Sequence, residues 1–91
     1  MKEMARIAMI LRIMPADQDV DLNDLVQRIK KDLPSEFELK DVKIKPFVFG
    51  MSVIEAMFTL PEEERASARL EEYLKGFEEI QEINVLMTTR L

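Results

Sequence analysis

The segment RIAMILRIMP, residues 6–15, contains the pattern that decides the fold of this 91-residue chain. In an extended conformation, one side of this segment carries Arg6, Ala8, Ile10 and Arg12. Ile10 is apolar on this otherwise polar side, which indicates a central strand rather than an edge strand. Pro15 cannot continue a backbone ladder, so the strand is predicted to end there. A period of two is typical of a β-strand, and it is carried on one side by Ile7, Met9, Leu11 and Ile13.

A helix is predicted after this strand. Asp21 is a good N-cap, and Asp24 favours the positive end of the helix dipole. Pro34 stops the helix. The apolar side chains that form one helix face are Leu22, Leu25, Val26, Ile29 and Leu33.

The rest of the chain predicts four more elements. Residues 37–45 indicate an edge strand, because charged side chains interrupt it and block pairing with other chains. A connection at 46–50 leads to a second central strand at 51–60. A helix is predicted to open with Pro61 and the acids after it and to end between residues 76 and 80, and a last strand covers 83–91.

The resulting order, β-α-β-β-α-β, predicts an α+β, ferredoxin-like fold. Two helices would cover one face of a four-stranded antiparallel sheet, leaving the other face to solvent or a partner. Because the chain contains no linker or low-complexity segment, residues 1–91 are expected to form a single domain. The candidate positions on the open face are Ala8, Ile10, Val53, Glu55 and Met57.

Composition excludes most bond-making chemistry. The chain has no Cys and no His, which removes thiolate metal sites, the thiol nucleophile and the usual general base near neutral pH. Ser35, Ser52 and Ser67 therefore have no histidine to activate them. We expect a protein that is not an enzyme, needs no cofactor or metal, and shifts the equilibrium of another molecule.

Charge and hydropathy limit the partners. The formal net charge is −5, and the open face has no aromatic side chain to stack a base, so direct nucleic-acid binding is not expected. The longest apolar run, residues 7–11, is too short for a membrane span, and the charged start lacks the apolar core of a signal peptide. A cytoplasmic monomer is expected.

The acids at 62–64 and 78–79 are interpreted as solvated surface, and Met9, Met14, Met57 and Met87 as core fillers.

Two features stand apart from the predicted core. Phe47 and Phe49 lie in the connection before Gly50, and a period of two tends to place both rings on one side. At the other feature, Arg90 and Leu91 end the last strand. Because the third and fourth strands run against the first, the two features are expected at opposite ends of the sheet, roughly 20–25 Å apart.

The sequence also resembles the archaeal elongation factor 1-beta family, the guanine nucleotide exchange factors of translation elongation. The resemblance covers about residues 5–91 and depends on the order and spacing of several short stretches. They are residues 12–15, 20–22, 29–34, 45–51 and the terminal pair 90–91.

The resemblance implies exchange of GDP for GTP on the elongation factor 1-alpha GTPase. Arg90 matches the penultimate basic residue that is directed at the magnesium and phosphate site of the partner. Phe49 matches the aromatic residue that engages a second domain of the partner, and Phe47, Gly50, Leu91 and Arg6 complete the implied partner-binding set.

The sequence departs from the family pattern at two places, and each departure leads to a prediction. No Lys follows Gly50, so one polar contact of the relatives is missing. Residues 64–67 replace a glycine-rich loop, which predicts a second helix that starts earlier than in relatives. The alternative hypothesis is a ferredoxin-like regulatory module that binds a small ligand or dimerises through apolar residues of the open face, namely Ile10, Val53 and Met57.

Overall fold

A computed structural model describes residues 5–63 and 65–91. Four strands form one sheet. Counted along the chain, they lie in the order second, third, first, fourth, and every neighbouring pair is antiparallel. This confirms the α+β, ferredoxin-like fold and the central positions of the first and third strands. The elements are β1 (Arg6–Pro15), α1 (Leu22–Asp32), β2 (Glu38–Pro46), β3 (Ser52–Pro61), α2 (Ala66–Lys75) and β4 (Ile80–Arg90).

The core lies between the two helices and one face of the sheet. The alternating apolar residues of β1 and β3 supply the sheet side of this layer, as the period of two predicts. The Tyr73 hydroxyl of α2 donates a 2.8 Å hydrogen bond to the Ile29 carbonyl of α1, which joins the two helices. The largest fully buried side chains are Phe58, Leu11, Ile13, Leu25, Ile29, Ile54, Leu60, Leu70 and Leu74.

The first helix begins where its sequence predicts. The Asp21 side chain accepts a 3.1 Å hydrogen bond from the Asp24 amide, which satisfies one of the free donors of the first turn. Leu33 leaves the helical conformation before Pro34, because the proline ring disfavours a helical residue in front of it. Neither described helix is long and apolar enough to span a membrane.

The prediction that the second helix opens at Pro61 is wrong. Pro61 is the buried last residue of β3 and pairs with Arg6, and α2 begins only at Ala66. The Glu62 amide donates a 2.8 Å hydrogen bond to the Ala5 carbonyl, so the ladder between β1 and β3 continues one residue beyond the proline. Proline is tolerated both in the first turn of a helix and at the end of a strand. Here the backbone pairing between β1 and β3 places Pro61 at the end of a strand. Glu64 lies outside the described residues.

The last strand also differs from its prediction. It begins at Ile80 rather than residue 83, and Leu86 is an extra residue, since Leu11 pairs with Val85 while Ile10 pairs with Met87. Such a β-bulge reverses the alternation beyond it. Met87 is therefore 56% exposed and does not fill the core, contrary to the prediction.

The open face of the sheet is less accessible than the alternation indicates. Ala8 and Val53 are buried, and Ile10 and Met57 are half-buried. The apolar surface on which the alternative dimerising hypothesis depends is correspondingly smaller.

Candidate functional site

The first candidate surface is the turn between β2 and β3. Phe49 and Gly50 both have positive φ, 57° and 75°. The Met51 amide donates to the Val48 carbonyl at 3.1 Å, and the Phe47 amide donates to the Met51 carbonyl at 2.7 Å. The bond between Met51 and Val48 closes a β-turn whose two central residues have positive φ, as in a type I′ turn. The loop is one residue longer than a two-residue hairpin, because Pro46 pairs with Ser52. We call residues 47–51 the hairpin tip.

Phe49 occupies an unusual position in this turn. It is the only non-glycine residue with positive φ among the residues that the structure describes, and the residue is 91% exposed. The left-handed region costs a non-glycine residue about 1–2 kcal/mol, and an exposed ring recovers nothing by burial. Backbone strain is common at functional positions, so the two observations together make Phe49 a candidate binding residue.

Phe47 and Phe49 do not share a side, contrary to the prediction. The left-handed turn interrupts the extended conformation that a period of two requires. Phe47 is half-buried, and the guanidinium carbon of Arg12 lies 5.0 Å from the centre of its ring. This cation–π contact ties the hairpin tip to β1. Phe47 therefore supports the tip, and Phe49 is the ring presented to solvent.

Gly50 has a conformational role in the hairpin tip. A Cβ atom built on it meets nothing within 4 Å, so steric crowding does not require glycine at this position. The φ of +75° does favour glycine, because that region is costly for L-residues with a Cβ. Gly50 also lines a shallow polar groove of about 200 Å³ with Pro15 and Asp17, which places the tip at the end of β1 as predicted.

The second candidate surface is the opposite end of the sheet. Arg90 pairs with Ile7, and the Leu91 amide donates a 3.0 Å hydrogen bond to the Arg6 carbonyl. The Arg90 side chain is 79% exposed and Leu91 is 73% exposed. The two ends are joined by β3, whose eight steps from Ser52 to Leu60 span roughly 25 Å. We call the surface formed by residues 5–7, 62 and 90–91 the Arg90 end.

Glu62 belongs to the Arg90 end and was not found from the sequence. Its Oε2 accepts a 2.7 Å hydrogen bond from Arg90 Nε. Ile7 and Leu60 are paired, so Arg90 beside Ile7 and Glu62 two residues after Leu60 project from the same face of the sheet. Assigning Glu62 to a helical turn concealed this relation, because only the β1–β3 register reveals it.

Arg6 lies at the Arg90 end but is directed into the fold. Its Nη2 donates to the Glu36 carbonyl at 3.1 Å and to Thr59 Oγ1 at 3.2 Å. Thr59 is buried, and its hydroxyl in turn donates to Glu38 Oε1 at 3.0 Å. Arg6 thus joins β1 and β3 to the start of β2, and Arg90 is the more available cation of the two.

An ion-pair cluster stands beside this surface. Arg69 of α2 binds both carboxylate oxygens of Glu36 and also donates to Glu63 at 3.3 Å. The hydrogen bond from Arg69 lowers the pKa of Glu36, and the hydrogen bond from Thr59 lowers the pKa of Glu38, with Lys40 adding to it. The Arg69 side chain is 41% exposed, about half the value for Arg90. Of Arg6, Arg69 and Arg90, Arg90 is therefore the cation most accessible to a partner.

These carboxylates predict how stability depends on pH. A folded-state pKa below the ordinary value of 4.5 stabilises the fold above that pH, and the stabilisation disappears as pH falls through the lowered pKa. Because the chain has no His, the urea midpoint should be level between pH 6 and 8 and should decrease below about pH 4.5. Urea denaturation of Glu36→Gln should show a shallower acid decrease, and an unchanged pH profile would contradict the assignment.

The two ends of the sheet offer groups that can bind a partner. Within residues 5–63 and 65–91, no group of three or more acidic side chains is placed to hold a metal ion. What the two ends offer is an exposed aromatic ring and an exposed cation at a fixed separation. Such a pair suits contact with one large partner at two places.

The sequence matches the family model of the EF-1 guanine nucleotide exchange domain over residues 8–91. The chain belongs to the EF-1 guanine nucleotide exchange family. Elongation factor 1-beta of Hyperthermus butylicus is 33% identical to it over 89 residues, which cover 97% of each chain. The Aeropyrum pernix protein of the same name is 32% identical over 89 residues, or 97% of this chain and 99% of its own. That of Ignicoccus hospitalis is 30% identical over 92 residues, or 100% and 98%.

Membership in the EF-1 exchange family confirms the resemblance and supports guanine nucleotide exchange in translation elongation as the activity. The match includes Phe49 and Arg90, the exposed residues of the two ends, whereas Arg6 precedes it. An exchange factor acts on the nucleotide affinity of another protein, which agrees with a chain that contains no Cys or His.

Proposed function

We propose that this chain promotes exchange of GDP for GTP on the elongation factor 1-alpha GTPase. Phe49 binds one domain of that partner, and Arg90 is directed at the magnesium and phosphate site of another. The observation that carries the proposal is the exposure of residue Phe49, at 91%, and of the Arg90 side chain, at 79%, at opposite ends of a single sheet. Membership in the EF-1 guanine nucleotide exchange family, and similarity to elongation factor 1-beta proteins, give the class of reaction.

The thermodynamic requirement is simple. An exchange factor must bind the nucleotide-free partner more tightly than the GDP-bound partner. Linkage then requires that the factor weaken GDP binding to the partner by the same ratio. No covalent step is needed, so shape and charge are sufficient.

Arg90 supplies the charge in this proposal. A guanidinium placed near the metal repels a divalent cation or draws away the groups that hold it, and the phosphates lose part of their counter-charge. Arginine keeps its charge at every physiological pH, and its planar end offers several donors that suit phosphate oxygens. Phe49 gives the complex its affinity, because exposed aromatic rings that become buried dominate many interfaces.

The test is a release assay. The GTPase is loaded with fluorescent GDP, excess unlabelled nucleotide is added, and the release rate is followed with and without an equimolar amount of this chain. We expect a clear increase in the GDP release rate. An unchanged rate would refute the proposed function.

A binding measurement separates the mechanism from simple association. Pull-down of the GTPase in its nucleotide-free and GDP-bound forms should favour the nucleotide-free form. Equal retention of both forms would contradict linkage, since a factor without preference cannot shift nucleotide affinity.

A further inference from the structure

We infer that Glu62 is a positioning residue that fixes the Arg90 guanidinium by its inner nitrogen and leaves the outer edge of that group directed at the partner. This role rests on the proposed function. Among the described residues, Arg90 Nε is the only guanidinium nitrogen of Arg90 that donates a hydrogen bond, at 2.7 Å to Glu62 Oε2. Both Nη groups, which carry four of the five N–H donors, stay available for a ligand.

The backbone fixes both members of the pair to the same strand. The Glu62 amide donates to the Ala5 carbonyl at 2.8 Å, and the Leu91 amide donates to the Arg6 carbonyl at 3.0 Å. β1 thus holds the ends of β3 and β4 at its two edges, and the side chains of Glu62 and Arg90 meet across it. The carboxylate is the less exposed partner, at 32% against 79% for the guanidinium. The more enclosed member holds the more exposed one.

The pair is poorly explained as a device for stability. Ion pairs with this much exposure contribute little to folding, because water and salt screen the attraction. Its larger effect is conformational. An arginine near a chain terminus has many rotamers, and fixing it on binding is costly in entropy. A bond already present in the free factor removes part of that cost, so the cation is oriented before the partner arrives.

A neighbouring acid supplies a matched control. Glu63 has the same charge and follows Glu62 directly, but its hydrogen bond comes from Arg69 rather than Arg90. Glu62→Ala and Glu63→Ala change the net charge equally. Any general effect of a less acidic surface on association therefore appears in both variants.

The decisive experiment is a double-mutant cycle in the GDP release assay with saturating factor. Glu62→Ala should lower the stimulated release rate about fivefold, or about 1 kcal/mol, while Glu63→Ala leaves it unchanged. In the Arg90→Ala background the same Glu62→Ala change should have no further effect, because it acts through Arg90. A faster rate in Glu62→Ala would show that the carboxylate masks the cation and would overturn the proposal. An unchanged rate, or a fivefold loss that persists without Arg90, would also overturn it.

A measurement on the free protein tests the positioning role independently of exchange. The Arg90 Nε–H group should give a protected, ordered nitrogen signal by NMR in the wild type and in Glu63→Ala. That order should be lost in Glu62→Ala, with the urea midpoint little changed. Equal disorder of the signal in the wild type and Glu62→Ala would refute the positioning role even if the chain proves to be an exchange factor. If the wild type instead shows an ordered signal but does not accelerate GDP release, the proposed function fails and the positioning contact stands.

Discussion

Replacing Arg90 with alanine is expected to lower the stimulated GDP release rate about 100-fold, with only a small change in affinity for the nucleotide-free GTPase. Two unit charges 4 Å apart interact by about 4 kcal/mol at an effective dielectric constant of 20. If solvent around this exposed side chain leaves about 2–3 kcal/mol of that, the factor of about 100 follows. Release kinetics give the rate, and titration of the nucleotide-free GTPase gives the affinity.

Two variants define what the Arg90 result means. Arg90→Lys keeps the positive charge and should lose much less activity than Arg90→Ala, although it loses both the planar donor edge and the Nε contact with Glu62. Lys43→Ala removes an equal charge from an exposed position in the middle of β2 and should leave release unchanged. If Arg90→Ala lowers affinity and release rate by the same factor, Arg90 is a simple binding contact and the proposed charge mechanism is wrong.

Replacing Phe49 with asparagine is expected to weaken binding to the GTPase about 30- to 100-fold, or about 2–3 kcal/mol, while stabilising the factor itself. The affinity decreases because the exposed ring is lost. The fold gains about 0.5–1 kcal/mol, because Asn followed by Gly is the preferred central pair of a β-turn in which both φ values are positive. Binding titration and urea denaturation of the same variant measure the two effects.

The opposite signs make the Phe49 experiment informative. A variant that binds poorly because it is misfolded would be less stable, so greater stability with weaker binding isolates the role of the ring. Val48→Ala is the control within the hairpin tip, since Val48 is 51% exposed and its φ is not positive. It should change binding little. Unchanged affinity in Phe49→Asn would show that the strained ring serves some purpose other than this partner.

Sequence periodicity was sufficient for the order of strands and helices, because the first strand, the first helix and the third strand carry clear patterns. The alternation in β1 and the capped apolar face of α1 are local properties, and the structure confirms both. The start of α2 could not be obtained in this way. Pro61 is compatible with a strand end and with a helix start, and the choice between them depends on pairing with Arg6, which is distant in sequence.

Part of the candidate site could be predicted from the sequence. The exposed tip and the charged terminus lie in segments that no core pattern explains, so Phe49 and Arg90 could be proposed before the fold was known. The extra residue at Leu86 and the contact between Glu62 and Arg90 could not, because both depend on the register between strands. Register is set by all the pairings of the sheet together.

One strand, β3, begins beside the hairpin tip and ends beside Glu62. The distance between the hairpin tip and the Arg90 end is therefore set by the number of residues in β3. Adding two residues to β3 would lengthen that distance by roughly 6.6 Å, and adding one would also turn the end of the strand to the other face of the sheet. In the proposed complex, in which Phe49 and Arg90 contact two domains of one partner, either insertion in β3 would prevent both contacts from forming at once.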